Sequence, residues 1–193
     1  MDMGNDADWR RFEQLALPHL NAAYNLAMWL TRNADDAQDV VQEALLRAMR
    51  YIDGLRLESA RPWLLQIVRH TCYSWLRANR PAGHVSLDDT EDTWPELATS
   101  PASEPPAIAI RRADRQQIND AIAALPVAYR EVFVLRELED LSYLEIARIA
   151  EIPIGTVMSR LARARGLMRN ALAPAARPVL RTVGRPAQGG VGS

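Results

Sequence analysis

Lysine is absent from this chain: all 23 basic residues are arginine. A G+C-rich genome also yields that bias, so only the placement of the arginines carries meaning. The single cysteine, Cys72, excludes an internal disulfide and leaves too few thiolates for a zinc cluster. His19, His70 and His84 are scattered, with no spacing that would gather them on a metal. No metal or other cofactor is expected. Aromatic content is only 6%, which points to modest cores. No apolar run approaches the ~20 residues of a membrane span. The N-terminal MDMGNDADWRRF is acidic and polar and lacks a signal-peptide core, so a cytoplasmic location is expected. A net charge of −1 argues against indiscriminate coating of nucleic acid. Any contact with a polyanion must come from a local patch.

What is present reads as helix, and no strand pattern of any length occurs. At 193 residues, 48% apolar and 24% charged, the chain has the composition of one ordinary globular domain or two small ones. Phe12, Leu15, Leu20, Tyr24, Ala27 and Leu30 give a first helical pattern, interrupted at Pro18. From Asp35 to Ile52 the set Val40, Val41, Ala44, Leu45, Ala48, Met49 and Ile52 forms a clear apolar stripe, which Asp53-Gly54 ends. Another helix is predicted from about Pro62 to Arg80. The composition then changes. From Pro81 to Ile110 there are five prolines, six acidic residues (Asp88, Asp89, Glu91, Asp92, Glu96 and Glu104) and no arginine, the signature of a linker. Helical periodicity resumes near Arg112 through Ile118, Ile122 and Leu125, then Val132, Phe133 and Leu135 beyond Pro126. Ser142 and Glu145 fit a capping box that opens a short helix, Tyr143 to Ala150. Pro153-Ile154-Gly155 supplies a turn, a last helix runs to about Ala171, and a disordered tail is expected beyond Pro174. The fold class is therefore all-α, with two small helical domains joined by a flexible acidic linker.

The last helix carries the sharpest signal. Ile152 to Arg169, IPIGTVMSRLARARGLMR, contains four arginines and no acidic residue. At ~100° per residue, Ile154, Val157, Leu161, Ala164 and Met168 fall on one stripe that should face a core. Opposite them lie Gly155, Ser159, Ala162, Arg163 and Gly166, small apart from one arginine. Arg160 borders that strip on one side, and Arg165 and Arg169 border it on the other. Two helices joined by a tight turn form a helix-turn-helix, whose second helix enters the major groove. A smooth strip with one protruding arginine suits close approach to base edges. Arg163 is placed for a guanine and the flanking arginines for phosphates. Thr156, at the helix N-terminus, is placed for a phosphate. The bland alternative is an ordinary amphipathic helix.

In the helix from about Pro62, Leu64, Ile67, Val68, Thr71, Cys72 and Trp75 gather on one side as core, making Cys72 a buried thiol. Gln66, Arg69, His70, Tyr73, Arg77 and Arg80 lie on the other side. Cations interleaved with an aromatic ring suit single-stranded DNA. His70 and Cys72 point in nearly opposite directions and cannot form a catalytic dyad. In the 35–52 helix the outer face shows Asp36, Asp39, Glu43, Leu46, Arg47 and Arg50. That face is either solvated charge or an interface that uses Leu46.

IPIGTVMSRLARAR resembles the region-four recognition helix of bacterial sigma factors of the extracytoplasmic-function (ECF) group, and ALPVAYREVFVLRELEDLSYLEIARIAEI resembles the helices before it. DAQDVVQEALLRAM is similar to the group's polymerase-docking segment, with Leu45 in place of the usual Phe. RPWLLQIVRHTCYSWLRANR is similar to its −10-binding helix, with His70 where Asn is usual and Ser74 where Asp is usual. The resemblance implies an alternative sigma factor, not an enzyme, that binds core RNA polymerase and directs transcription initiation. Region two would cover residues 8–80, the linker 81–113, region four 114–173 and the tail 174–193. Contacts with the duplex −35 element are then expected at Thr156, Met158, Ser159, Arg160, Ala162, Arg163 and Arg165. Contacts with the opened −10 element are expected at Trp63, Gln66, Arg69, His70, Tyr73, Arg77 and Arg80. Contacts with polymerase are expected at Asp39, Gln42, Glu43, Leu46 and Arg47. The loop from Gly54 to Arg61 would capture a flipped −10 base. Asp88, Asp89, Glu91 and Asp92 would mimic RNA near the polymerase cleft. An anti-sigma protein is the expected regulator, with no membrane insertion and no small-molecule substrate. A helix-turn-helix regulator that is not a polymerase subunit, and a helical adaptor with no DNA role, are the rivals.

Overall fold

The computed structural model describes residues 3–51, 60–79 and 106–173, with side chains described from residue 9 and from residue 113 in the first and last segments. Ile52, the Asp53-Gly54 stop, most of the 54–61 loop, Arg80, the acidic run and the tail lie outside the described residues. No strand occurs among those described.

Helix α1 (Met3–Ala16) is followed by a 3-10 turn over Leu17–His19, where Pro18 removes a backbone donor, and then by α2 (Leu20–Thr31). Arg32 closes α2 in a left-handed conformation with φ 62°. The Asn33 side chain caps α3 (Ala34–Arg50), accepting from the N–H groups of Asp35 and Asp36 at 2.9 and 3.1 Å. Asp35 and Asp36 in its first turn and Arg47 and Arg50 in its last both complement the helix dipole. Helix α4 spans Ala60–Asn79, so Pro62 lies in its first turn. Helices α2, α3 and α4 pack pairwise, and α1 lies against α3 and α4. The stripes anticipated on α3 and α4 are the faces that pack. Val40, Val41, Ala44 and Ala48 are buried with Leu64, Val68, Thr71 and Cys72, and Leu45, Met49, Ile67 and Trp75 flank them.

The second bundle comprises α5 (Pro106–Ala123), α6 (Val127–Phe133), α7 (Tyr143–Ala150) and α8 (Ile154–Leu172), with a π-helical turn, Val134–Leu138, continuing α6. Helix α5 begins at Pro106, so helix extends into the stretch whose prolines suggested only linker. Ser142 and Glu145 form the full capping box: Glu145 N–H donates to Ser142 Oγ, and Ser142 N–H donates to Glu145 Oε2 at 2.8 Å. Helices α5, α6 and α7 all pack on α8. Three residues anticipated on apolar stripes are instead exposed: Tyr24, Ile118 and Ile154. The buried arc of α2 centres on Ala22, Ala23, Leu26, Ala27 and Leu30, away from Tyr24. Ile154 is the first residue of α8, ahead of the buried set that begins at Val157.

The two bundles do not stand apart. Helix α4 packs on α7 and α2 on α6, and one hydrophobic cluster runs from Phe12 through Leu65 to Ile149 and Met168. At this junction Arg130 and Glu131 are each only 1% exposed. Arg130 Nη1 donates to the Trp29 carbonyl at 3.2 Å.

Candidate nucleic-acid interface

Helix α8 is held by its apolar stripe. Val157, Leu161, Ala164 and Met168 are buried. The turn before it is built by Glu151, whose left-handed φ of 55° ends α7 while its N–H and that of Ile152 donate to the Ala147 carbonyl. Pro153 takes the cap position and offers the first turn of α8 no side-chain acceptor. Met158, Ser159, Ala162, Arg163 and Arg165 are exposed, and Thr156 and Arg160 are half-buried. Gly155 and Gly166 meet nothing within 4 Å of an added Cβ, so their smallness opens the outer strip and serves no internal packing. Ser159 Oγ donates to the Thr156 carbonyl at 3.0 Å. Arg163 Nη1 donates to Tyr129 Oη of α6 at 3.1 Å. Arg165 donates through Nη2 and Nε to Glu137 Oε1 at 2.6 and 3.0 Å. One basic margin of the strip therefore carries its own counter-charge, which its spacing in the sequence could not show.

Of the residues expected on the outer side of α4, Gln66, Arg69, His70 and Tyr73 already have partners in the second bundle. Arg69 pairs with Glu131, and the Tyr73 hydroxyl donates to the same carboxylate at 3.3 Å. The Arg69 guanidinium also lies 4.7 Å from the centroid of the Tyr73 ring. Gln66 Nε2 donates to Glu151 Oε1 at 3.0 Å, and His70 Nε2 sits 3.0 Å from the same oxygen. Arg61 Nη2 donates to Glu139 Oε2 at 2.7 Å, while Asn25 holds the other oxygen. Trp63 is half-buried against the core and Arg77 is exposed. Burial pushes the Tyr73 hydroxyl well up, helped by the Glu131 charge. Burial likewise raises the Glu131 carboxyl, against the pull of Arg69. The Cys72 thiol, on the opposite side of α4, is pushed up to about 12 by burial and then by Glu131. It is a packing residue and no nucleophile. Arg61, expected at the end of the base-capturing loop, lies in α4, and the three glutamates that meet this face were not singled out from the sequence. The signal was there: Arg130-Glu131 interrupts an otherwise apolar period in α6.

On α3 the outer face shows Asp39, Gln42 and Glu43 exposed and Arg47 half-buried, with Leu46 58% exposed among them. Arg47 Nε pairs with Glu43 Oε1 at 2.7 Å, a solvent-exposed contact worth little to stability. No group of three or more potential metal ligands occurs among the described residues.

Family models match both bundles: "Sigma-70 region 2" over residues 15–81 and "Sigma-70, region 4" over residues 115–168. The RNA polymerase sigma-H factor of Pseudomonas aeruginosa is 34% identical over 171 residues, covering 86% of this chain and 89% of that protein. The chain belongs to the ECF sigma factors. The ECF RNA polymerase sigma-E factor of Escherichia coli K12 is 37% identical over 143 residues, covering 72% of this sigma factor and 75% of its relative. Among solved structures, the sigma factor RpoE in complex with the anti-sigma factor NepR from Bartonella quintana superposes with a TM-score of 0.65 at 29% identity, covering 83% of this chain and 96% of that one. CnrH in complex with the cytosolic domain of CnrY shares the fold at 21% identity, with a TM-score of 0.61 over 87% of this chain and 91% of that one. The sigma factor is thus all-α with regions two and four, and it directs promoter recognition by RNA polymerase. Sigma factors of this family initiate transcription without being enzymes themselves. No helix among the described residues is long and apolar enough to cross a membrane.

Proposed function

We propose that this sigma factor divides the promoter between its two bundles. Helix α8 lies in the major groove of the duplex −35 element: Arg163 reads a base edge, and Thr156, Met158, Ser159, Arg160, Ala162 and Arg165 border it. Helix α4 holds the melted −10 strand, with Arg69, His70 and Arg77 on the phosphates, joined by Arg80, the next residue in sequence after the helix, with Tyr73 and Trp63 stacking, and Gln66 bonding. The outer face of α3, centred on exposed Leu46 with Asp39, Gln42, Glu43 and Arg47, docks on core polymerase. Melting then needs no nucleotide hydrolysis, because contacts available only to the opened strand shift the equilibrium towards it. The factor works in the cytoplasm, uses no cofactor, and is restrained by an anti-sigma protein, as the complex of RpoE with NepR suggests by analogy. The observation that carries the reading is the outer strip of α8, with Ser159, Ala162 and Arg163 exposed between cationic margins while Val157, Leu161, Ala164 and Met168 anchor the opposite side.

Run-off transcription with core polymerase on a promoter library tests this reading. The expected result is selection of a defined pair of elements, abolished by Leu46→Glu through loss of polymerase binding. Transcription no different from that of core enzyme alone would overturn it.

A further inference from the structure

We infer that region four of this sigma factor is an intramolecular competitor for the strand-binding face of region two, with Glu131, Glu139 and Glu151 taking the places of DNA phosphates. The inference rests on the reading of α4 as the −10-binding helix. The three carboxylates come from three places in the second bundle: α6, the end of the π-helical turn, and the turn between α7 and α8. They meet one face of a single helix. Glu139 takes Arg61, Glu151 takes Gln66 and His70, and Glu131 takes Arg69 and Tyr73. From position 61 to position 73 the helix rises about 18 Å, so a row of negative charge runs along the track a nucleic-acid backbone would follow. All three partner sets are donors, and a carboxylate and a phosphate oxygen satisfy them in the same way. Both cannot do so at once.

The glutamates are matched to this role by their exposure. Glu131 is buried and packs the junction, whereas Glu151 is about half exposed and pairs with half-exposed His70. Such outer pairs are individually weak and open readily. Together with the apolar junction they set how much of the free factor is closed, and binding core polymerase or DNA draws on the remainder.

The test uses the full-length factor, an oligo-dT probe and a random single-stranded pool. Glu139→Gln with Glu151→Gln leaves every residue assigned to DNA or polymerase intact. The double variant should bind both probes about tenfold more tightly than the wild type at low salt. Its small-angle scattering radius without DNA should also be larger. Unchanged affinity and unchanged radius would overturn the inference. The underlying reading is checked separately on a pre-melted promoter with holoenzyme, where Arg69→Ala with Tyr73→Ala should destabilise the open complex. If that pair has no effect, the assignment of α4 fails. If it acts while the glutamate variant does not, only the competition fails.

Discussion

Tyr129 on the neighbouring helix accepts from one guanidinium nitrogen of Arg163, the residue proposed to read a base. Arg163→Ala is expected to cost ~1–3 kcal/mol at one promoter position and little elsewhere, as scored by competition binding on single-base promoter variants. Tyr129→Phe should soften discrimination at that same base by less than about 1 kcal/mol while leaving the salt dependence of binding unchanged. Arg165 differs in kind. Although it shares its charge with Glu137, Arg165→Ala should weaken binding to all sequences and flatten the plot of log affinity against log salt. Glu137→Gln should do the opposite, and isothermal titration at several ionic strengths separates the two.

At the scale of elements, α7 depends on its cap. The Ser142 hydroxyl and then the Ser142 backbone N–H hold the Glu145 carboxyl below its ordinary value of 4.5. A carboxyl lowered on folding stabilises above its unfolded value and loses that contribution as the pH falls through the folded one. Glu145→Gln should therefore melt earlier than wild type at neutral pH, with the difference closing under acid, as read by circular dichroism. Most of this architecture was legible beforehand. The α3 and α4 stripes, the capping box and the buried set of α8 all follow from the 3.6-residue period and from hydrogen-bonding side chains, which are local physics. The start of α5 was hidden because Pro105 and Pro106 read as breakers, although proline is welcome in a first helical turn. The pairing of Arg69 with Glu131 and of Arg61 with Glu139 spans 62 and 78 positions of sequence. No helical wheel drawn for one element at a time contains it. The wheel could group Gln66, Arg69, His70 and Tyr73 on one side of α4, but the carboxylates that meet them were not visible.

For the whole molecule, a slightly acidic chain carries a cationic strip and a cationic helix face by turning its own carboxylates towards them. Glu151 shows what this demands of the backbone. It stands at the corner between α7 and α8 with a left-handed φ of 55°, where a side chain bearing a Cβ stores roughly 1–2 kcal/mol of strain and glycine would store almost none. Glu151→Gly should raise the melting temperature in high salt, where charge pairs count for little. At low salt the same variant should be the more expanded one in scattering. With glutamate there, the strained corner between α7 and α8 also carries the carboxylate that meets Gln66 and His70 of α4, so backbone strain and a polar tie between the two bundles reside in one residue.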